Sequence, residues 1–162
     1  MAVDGGAANT AVFKNSDTGS IPIAAWNSAT SGDNYFVGFY TEGSTGTFRG
    51  SITYNRAGGL VAYNTTSDYR AKDILGPITD TGAMIDALKV YEGQMKGATQ
   101  PRPMLIAHEA QAVAPYSVTG EKDAVNDNGD PVFQQMDVSS LVPLLIAELQ
   151  SLRARVAQLE GN

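Results

Sequence analysis

Residues 141–160 read Leu141-Val142-Pro143-Leu144-Leu145-Ile146-Ala147-Glu148-Leu149-Gln150-Ser151-Leu152-Arg153-Ala154-Arg155-Val156-Ala157-Gln158-Leu159-Glu160. From residue 142 the apolar positions fall on a heptad. Val142, Leu149 and Val156 occupy a, and Leu145, Leu152 and Leu159 occupy d. Glu148 at g stands five residues before Arg153 at e, and Arg155 at g stands five before Glu160 at e. Opposite charges in those positions suit a parallel coiled coil. Ile146 at e widens the stripe and favours three strands over two. A single amphipathic helix packed on its own domain would explain the leucines equally well, but not the charge pairs. The expectation is a coiled coil over about 140–160, with Val142, Leu145, Leu149, Leu152, Val156 and Leu159 as its core.

Upstream, the composition changes near residue 66. Residues 1–66 are rich in Gly, Ser, Thr, Asn and aromatics and carry four acidic and three basic side chains; residues 67–162 carry thirteen acidic and eight basic and nearly all the leucine. Short β-prone runs fill the first part: Ala11 to Phe13, Ile21 to Trp26, Tyr35 to Tyr40, Thr47 to Tyr54 and Leu60 to Tyr63. Turn chemistry separates them at Asp17-Thr18-Gly19, Ser31-Gly32-Asp33, Gly43 to Gly46 and Ala57-Gly58-Gly59. So thin a sheet is marginal alone and would expose Trp26, Phe36, Phe39 and Tyr40 unless identical copies covered them. The second part mixes elements. A helix from about Ala83 to Tyr91, capped by Asp80 or Thr81, is followed by a strand at Met104 to Ala107 and a short helix from His108 to Val113. A long-looped hairpin joins Tyr116 to Val118 with Val132 to Met136, its turn at Asn128-Gly129-Asp130. The last helix begins at Ser139 or Ser140.

The joint between the two parts reads Thr66-Ser67-Asp68-Tyr69-Arg70-Ala71-Lys72. A serine five residues before a lysine is common, and on its own this reads as a polar connector. Context makes chemistry available. A serine hydroxyl is a weak nucleophile and needs a base, and lysine serves as one when loss of water lowers its pKa toward neutral. Lys72 could then take the proton of Ser67 while the hydroxyl oxygen attacks the carbonyl of Thr66. The scissile carbonyl belongs to the same chain, so proximity removes much of the barrier.

Ser67-Asp68-Tyr69-Arg70-Ala71-Lys72 resembles the Ser-Asp-x-Arg-Leu-Lys motif that opens the intramolecular chaperone domain of phage tailspikes and tail fibres, the endosialidase-chaperone family of self-cleaving peptidases. The resemblance continues in order through Leu105-Ile106-Ala107-His108-Glu109-Ala110-Gln111, Pro115, Gly120 to Val125, Gly129-Asp130-Pro131, Phe133-Gln134, Asp137 and Leu141 to Leu145, covering about residues 64–162. It departs from the pattern at Ala71, where Leu is usual, and at Pro103-Met104, where Gly is more frequent. The resemblance implies an α+β protein: a β-rich, intertwined trimeric fibre segment over 1–66, then a mixed α/β chaperone domain over 67–162 that ends in a parallel three-stranded coiled coil. It implies Ser67 as nucleophile, Lys72 as general base and a cut between Thr66 and Ser67, with Asp68 and Arg70 ordering the site. The implied partners are two further copies of the chain, upstream fibre or other tail proteins, and a host surface glycan or receptor. The implied setting is the virion tail fibre, with the chaperone acting in the host cytoplasm during assembly.

Other polar groups give weaker signals. His108 is the only histidine; with Glu109 it reads either as a group beside the dyad or as a cap at a helix start. Asp123, Asp127, Asn128 and Asp130 lack the calcium-loop pattern and read as a solvated acidic loop. No metal spacing, phosphate loop or other cofactor signature is expected. The net charge of −6 disfavours nucleic acid and anionic membranes as partners. No apolar run approaches a membrane span, and Met1 to Gly6 shows no secretory leader. Cysteine is absent, which excludes disulfides. Two competing functions remain open: a structural or receptor-binding fibre tip whose chaperone-like domain is permanent and never cleaves, and a polysaccharide-degrading tailspike whose catalytic carboxylates lie outside this sequence.

Overall fold

The computed structural model describes residues 13–161, so Met1 to Gly6 and most of the Ala11 to Phe13 run lie outside the described residues. The chain is mixed α/β, with three small antiparallel sheets and a C-terminal helix. It divides into two compact units between Ile74 and Leu75. The compositional break near residue 66 therefore precedes the structural one: residues 67–74, with the Ser-Lys motif, belong to the first unit.

The first unit is built on a three-stranded meander, β1 (Asn34–Thr41), β2 (Thr47–Asn55) and β3 (Leu60–Thr65), with β2 in the middle. The expected turns at 43–46 and 57–59 join the strands. Two bulges in β1, between Tyr35 and Val37 and between Phe39 and Tyr40, break the period of two. They account for a run of aromatics with no clean alternation. Phe39 lies opposite Gly50 and Tyr40 opposite Phe48, so both aromatics pair with residues two apart on β2. The Tyr40 and Phe48 rings meet edge-on at 5.4 Å. Arg56 secures the turn end of the sheet. Its backbone N–H donates to Asp33 at 2.8 Å, and its guanidinium donates to the carbonyls of Gly32 (2.7 Å) and Ala29 (3.0 Å) and to buried Asn34.

The expected strand from Ile21 to Trp26 does not form. Pro22 lacks a ladder donor, and Trp26 stands 87% exposed. Phe39 and Tyr40 are likewise exposed, whereas Phe36 is half-buried beside the first bulge.

In the second unit the first helix, α1 (Thr81–Ala87), is shorter than the spacing predicts. Asp80 takes the cap position in a left-handed conformation without capping through its side chain. Leu88 turns extended and ends the helix, and Tyr91 joins β4 (Tyr91–Gly93), paired with β5 (Arg102–Met104). The expected strand at 104–107 is thus displaced towards Arg102. Its last residue instead opens α2 (Ala107–Gln111). The long-looped hairpin forms between β6 (Val118–Thr119) and β7 (Gln135–Met136). Its loop is organised by Asn126, whose side-chain oxygen accepts from the N–H groups of Asn128 and Asp130, both at 2.9 Å, and Gly129 supplies the positive φ of the turn.

The last helix is entered differently from the expected serine cap. Asp137 caps a short 3₁₀ segment, Val138–Leu141, by accepting from the Ser139 N–H at 2.9 Å, and α3 (Val142–Glu160) follows with Pro143 in its first turn. The core of this unit is small: Ala110, Ala114, Val118, Leu141 and Leu144. Leu144, 1% exposed, is the largest fully buried side chain among the described residues.

Candidate functional site

The end of β3 leads directly into the motif. Beyond Thr65 the ladder gains one more bond, from the Thr66 N–H to the Arg49 carbonyl at 2.9 Å, and the Thr66 hydroxyl donates to the Phe48 carbonyl at 3.2 Å. The chain then leaves the sheet. Asp68 caps a single 3₁₀ turn, Tyr69–Ala71, by accepting from the Arg70 N–H at 2.9 Å. The turn closes through Ala71 N–H to Asp68 O (3.0 Å) and Lys72 N–H to Tyr69 O (3.2 Å). This reversal brings Lys72 back to the start of the motif, where its Nζ donates to Ser67 Oγ at 2.7 Å.

Asp68 and Arg70 do not touch that pair. They form a fork of their own, Arg70 Nε and Nη2 donating to the two carboxylate oxygens at 2.9 and 2.8 Å. The Arg70 guanidinium, and then its backbone N–H, hold the Asp68 carboxyl below its ordinary value, while Asp68 raises Arg70. One side chain both caps the turn and clamps its neighbour, and the turn delivers the lysine.

Ser67 and Lys72 are both exposed in the single chain. Among the described residues of their unit, nothing strips Lys72 of water. The arrangement therefore holds a hydroxyl and an amine at contact distance without the dry surroundings that favour a neutral amine.

The second unit holds the other candidates. Glu109 accepts from the Tyr91 hydroxyl at 2.8 Å and lies 3.8 Å from Lys89 Nζ; the Glu109 carboxylate raises Tyr91 above the ordinary phenol value. Glu109 thus ties β4 to α2. His108 lines a small cavity of about 220 Å³ with the 121–124 and 131–134 segments. It does not cap α2, which carries Ile106 at its cap position and no side-chain cap bond. Asp123, beside Lys122, is held below its ordinary value chiefly by that lysine.

The heptad residues show a clear pattern. Val142, Leu145, Leu149, Leu152, Val156 and Leu159 are all exposed, Leu145 by 52% and Leu149 by 59%. Helix α3 instead meets its own unit through Leu144 and Glu148, one turn apart on a different face. Glu148 accepts from the Thr81 hydroxyl at 2.6 Å, and its carboxylate lies against Gly82. Within the chain, then, Glu148 is engaged with α1.

Sequence reasoning missed the Thr81–Glu148 bond and the anchoring of Thr66. Neither has a local signal: the first joins residues far apart in sequence, and the second depends on the register of β2 against β3. No family model matches the chain, and no curated protein matches it.

Proposed function

We propose that this chain is the end of a phage tail fibre or tailspike, resembling the endosialidase-chaperone family, in which residues from Ser67 onward act as an intramolecular chaperone that trimerises the chains and is then released by self-cleavage between Thr66 and Ser67. The observation that carries this reading is the 2.7 Å contact between Lys72 Nζ and Ser67 Oγ, placed immediately after the bond to be cut. With Lys72 neutral the contact reverses. The hydroxyl donates to the amine, and Lys72 takes its proton as Oγ attacks the Thr66 carbonyl carbon. A C–O ester bond forms, the C–N bond breaks, and the proton passes from Lys72 to the departing Ser67 nitrogen. Water then hydrolyses the ester, leaving a carboxylate on Thr66 and restoring the Ser67 hydroxyl. The enzyme turns over once, on its own chain, and the step uses no cofactor.

The exposed heptad stripe supports the assembly half of the proposal. Six apolar side chains lie on one face of α3 while the helix packs on its own unit through another. Covering each half-exposed leucine contributes about 1 kcal/mol. A neighbouring chain is also the natural source of the dry surroundings that Lys72 needs, which would make cleavage a checkpoint for correct assembly. Registering three ends raises their local concentration and speeds the slow non-local β pairing of a fibre. Once wound, the fibre persists through its kinetic stability.

The exposure of Lys72 favours a second reading, in which the fibre tip keeps its trimerising domain permanently and binds a receptor without cleaving. Denaturing mass spectrometry separates the two. Two fragments divided at Thr66/Ser67, replaced by one intact 17.1 kDa species in Ser67→Ala, are the expected result. An intact wild-type chain after assembly overturns self-cleavage.

A further inference from the structure

The two residues before the cut are held by strand β2 in a way that the Ser-Lys pair does not explain. Thr66 makes two bonds to β2, through its N–H to Arg49 O at 2.9 Å and through its hydroxyl to Phe48 O at 3.2 Å. Its neighbour Thr65 is paired with Gly50. Gly50 is buried at the centre of the sheet, and a Cβ there would lie 2.2 Å from the Asn64 carbonyl oxygen and 3.3 Å from the Thr65 Cα. Those are backbone atoms that cannot swing aside, so any other residue at position 50 must push the end of β3 off the sheet. The close approach and the two Thr66 bonds act on the same three residues, 64–66. Among the described residues of this unit, no backbone bond joins the chain from Ser67 onward to β2.

We propose that β2 is the positioning element for the self-cleavage put forward above. Gly50 lets β3 approach closely enough for Thr66 to dock on the carbonyls of Phe48 and Arg49, and that docking fixes the carbonyl side of the scissile bond beneath the Ser67 hydroxyl. The nucleophile rides on the turn capped by Asp68, and the target rides on the sheet. Attack requires both to be in place, so pairing of β3 with β2 is itself a condition for cutting. The position of the cut also follows. It falls just past the last ladder bond, so the sheet keeps every backbone bond it had, and the departing segment takes none with it.

The inference rests on the self-cleavage reading, and two separate readouts keep them distinguishable. In the full chain, Thr66→Val keeps the shape but removes the hydroxyl, and is expected to slow processing about fivefold. Thr66→Ser, which keeps the hydroxyl, restores it. Gly50→Ala is expected to slow processing by about tenfold or more. In the uncleavable Ser67→Ala background, hydrogen exchange at the Thr66 amide reads the docking directly: protected with Gly50, fast with Gly50→Ala. The test stands even if Gly50→Ala folds poorly, because the Thr66 variants change an exposed side chain. Wild-type processing with Thr66→Val cutting at the wild-type rate, or an unprotected Thr66 amide in Ser67→Ala, overturns the positioning role alone. A wild-type chain that never cuts overturns the underlying reading, whatever the amide shows.

Discussion

The two compact units organise their polar and apolar groups in opposite ways. In the first, order is chiefly polar and follows consecutive strands. Consecutive strands pair as a meander, Arg56 gathers the carbonyls of the loop before β1, and Asp68 caps and clamps a turn just after Ser67. Most of its aromatics remain exposed. In the second, order comes from distant pieces. Thr81 reaches Glu148, Glu109 reaches Tyr91, and Leu144 is buried while the six heptad side chains of the same helix are not. One face of this helix thus closes the small core of its own unit, while the other stays exposed.

That contrast can be broken most severely at the heptad face. In Leu145→Asp with Leu152→Asp, self-association is expected to be lost outright, seen as a monomer by sedimentation, with the helical signal of the unit retained. The same variant is expected to stay uncleaved; cutting by an obligate monomer would remove the checkpoint. The opposite face gives the next largest effect. Leu144→Ala deletes the largest fully buried side chain and is expected to cost about 3 kcal/mol in denaturant unfolding of the second unit, with protection of β1–β3 amides unchanged. Thr81→Val keeps the volume but strands a half-buried carboxylate at Glu148, for a loss of about 2 kcal/mol measured the same way. Glu148→Gln, which can still accept from Thr81, is expected to lose less.

The smallest effect is a pH response confined to the first unit. The Asp68 carboxyl is held below its ordinary value by Arg70. A depressed folded value makes the contribution complete above the unfolded value of about 3.9 and progressively lost as pH falls through the lower folded one. The turn at 69–71 is therefore expected to stay ordered at neutral and mildly acidic pH and to loosen only in stronger acid, followed by the Arg70 amide resonance. Asp68→Asn should abolish that transition. An Arg70 amide that titrates identically in both proteins would show that the carboxylate does not hold the turn.

Much of this was legible in the residues. Strands β1 to β3 and their turns follow from β-prone runs set between Gly and Asp clusters, and α3 follows from its heptad. Ser67 and Lys72 were singled out by the family resemblance rather than by their spacing, which on its own reads as a polar connector; the contact between them forms because one short turn suffices to bring residues five apart together. The failures have specific causes. Ile21 to Trp26 has strand composition but no described partner, and Pro22 removes a donor. Tyr91 fits the helical spacing after Leu88, yet it pairs with Met104, a contact that only the fold can supply. Ser139 resembles a cap, but Asp137 lies two residues earlier and its carboxylate accepts from the N–H of Ser139 itself.

The amino-acid order by itself determined what short range can determine: where the backbone turns, which residues lie within one turn of each other, and which stripe of a helix is apolar. The tertiary structure alone decided which stripe of α3 its own unit covers, which residue engages Glu148, and how tightly Thr66 is held on β2. Those depend on the meeting of segments far apart along the chain. Such meetings are selected by packing and register, and neither leaves a mark in any local window of residues.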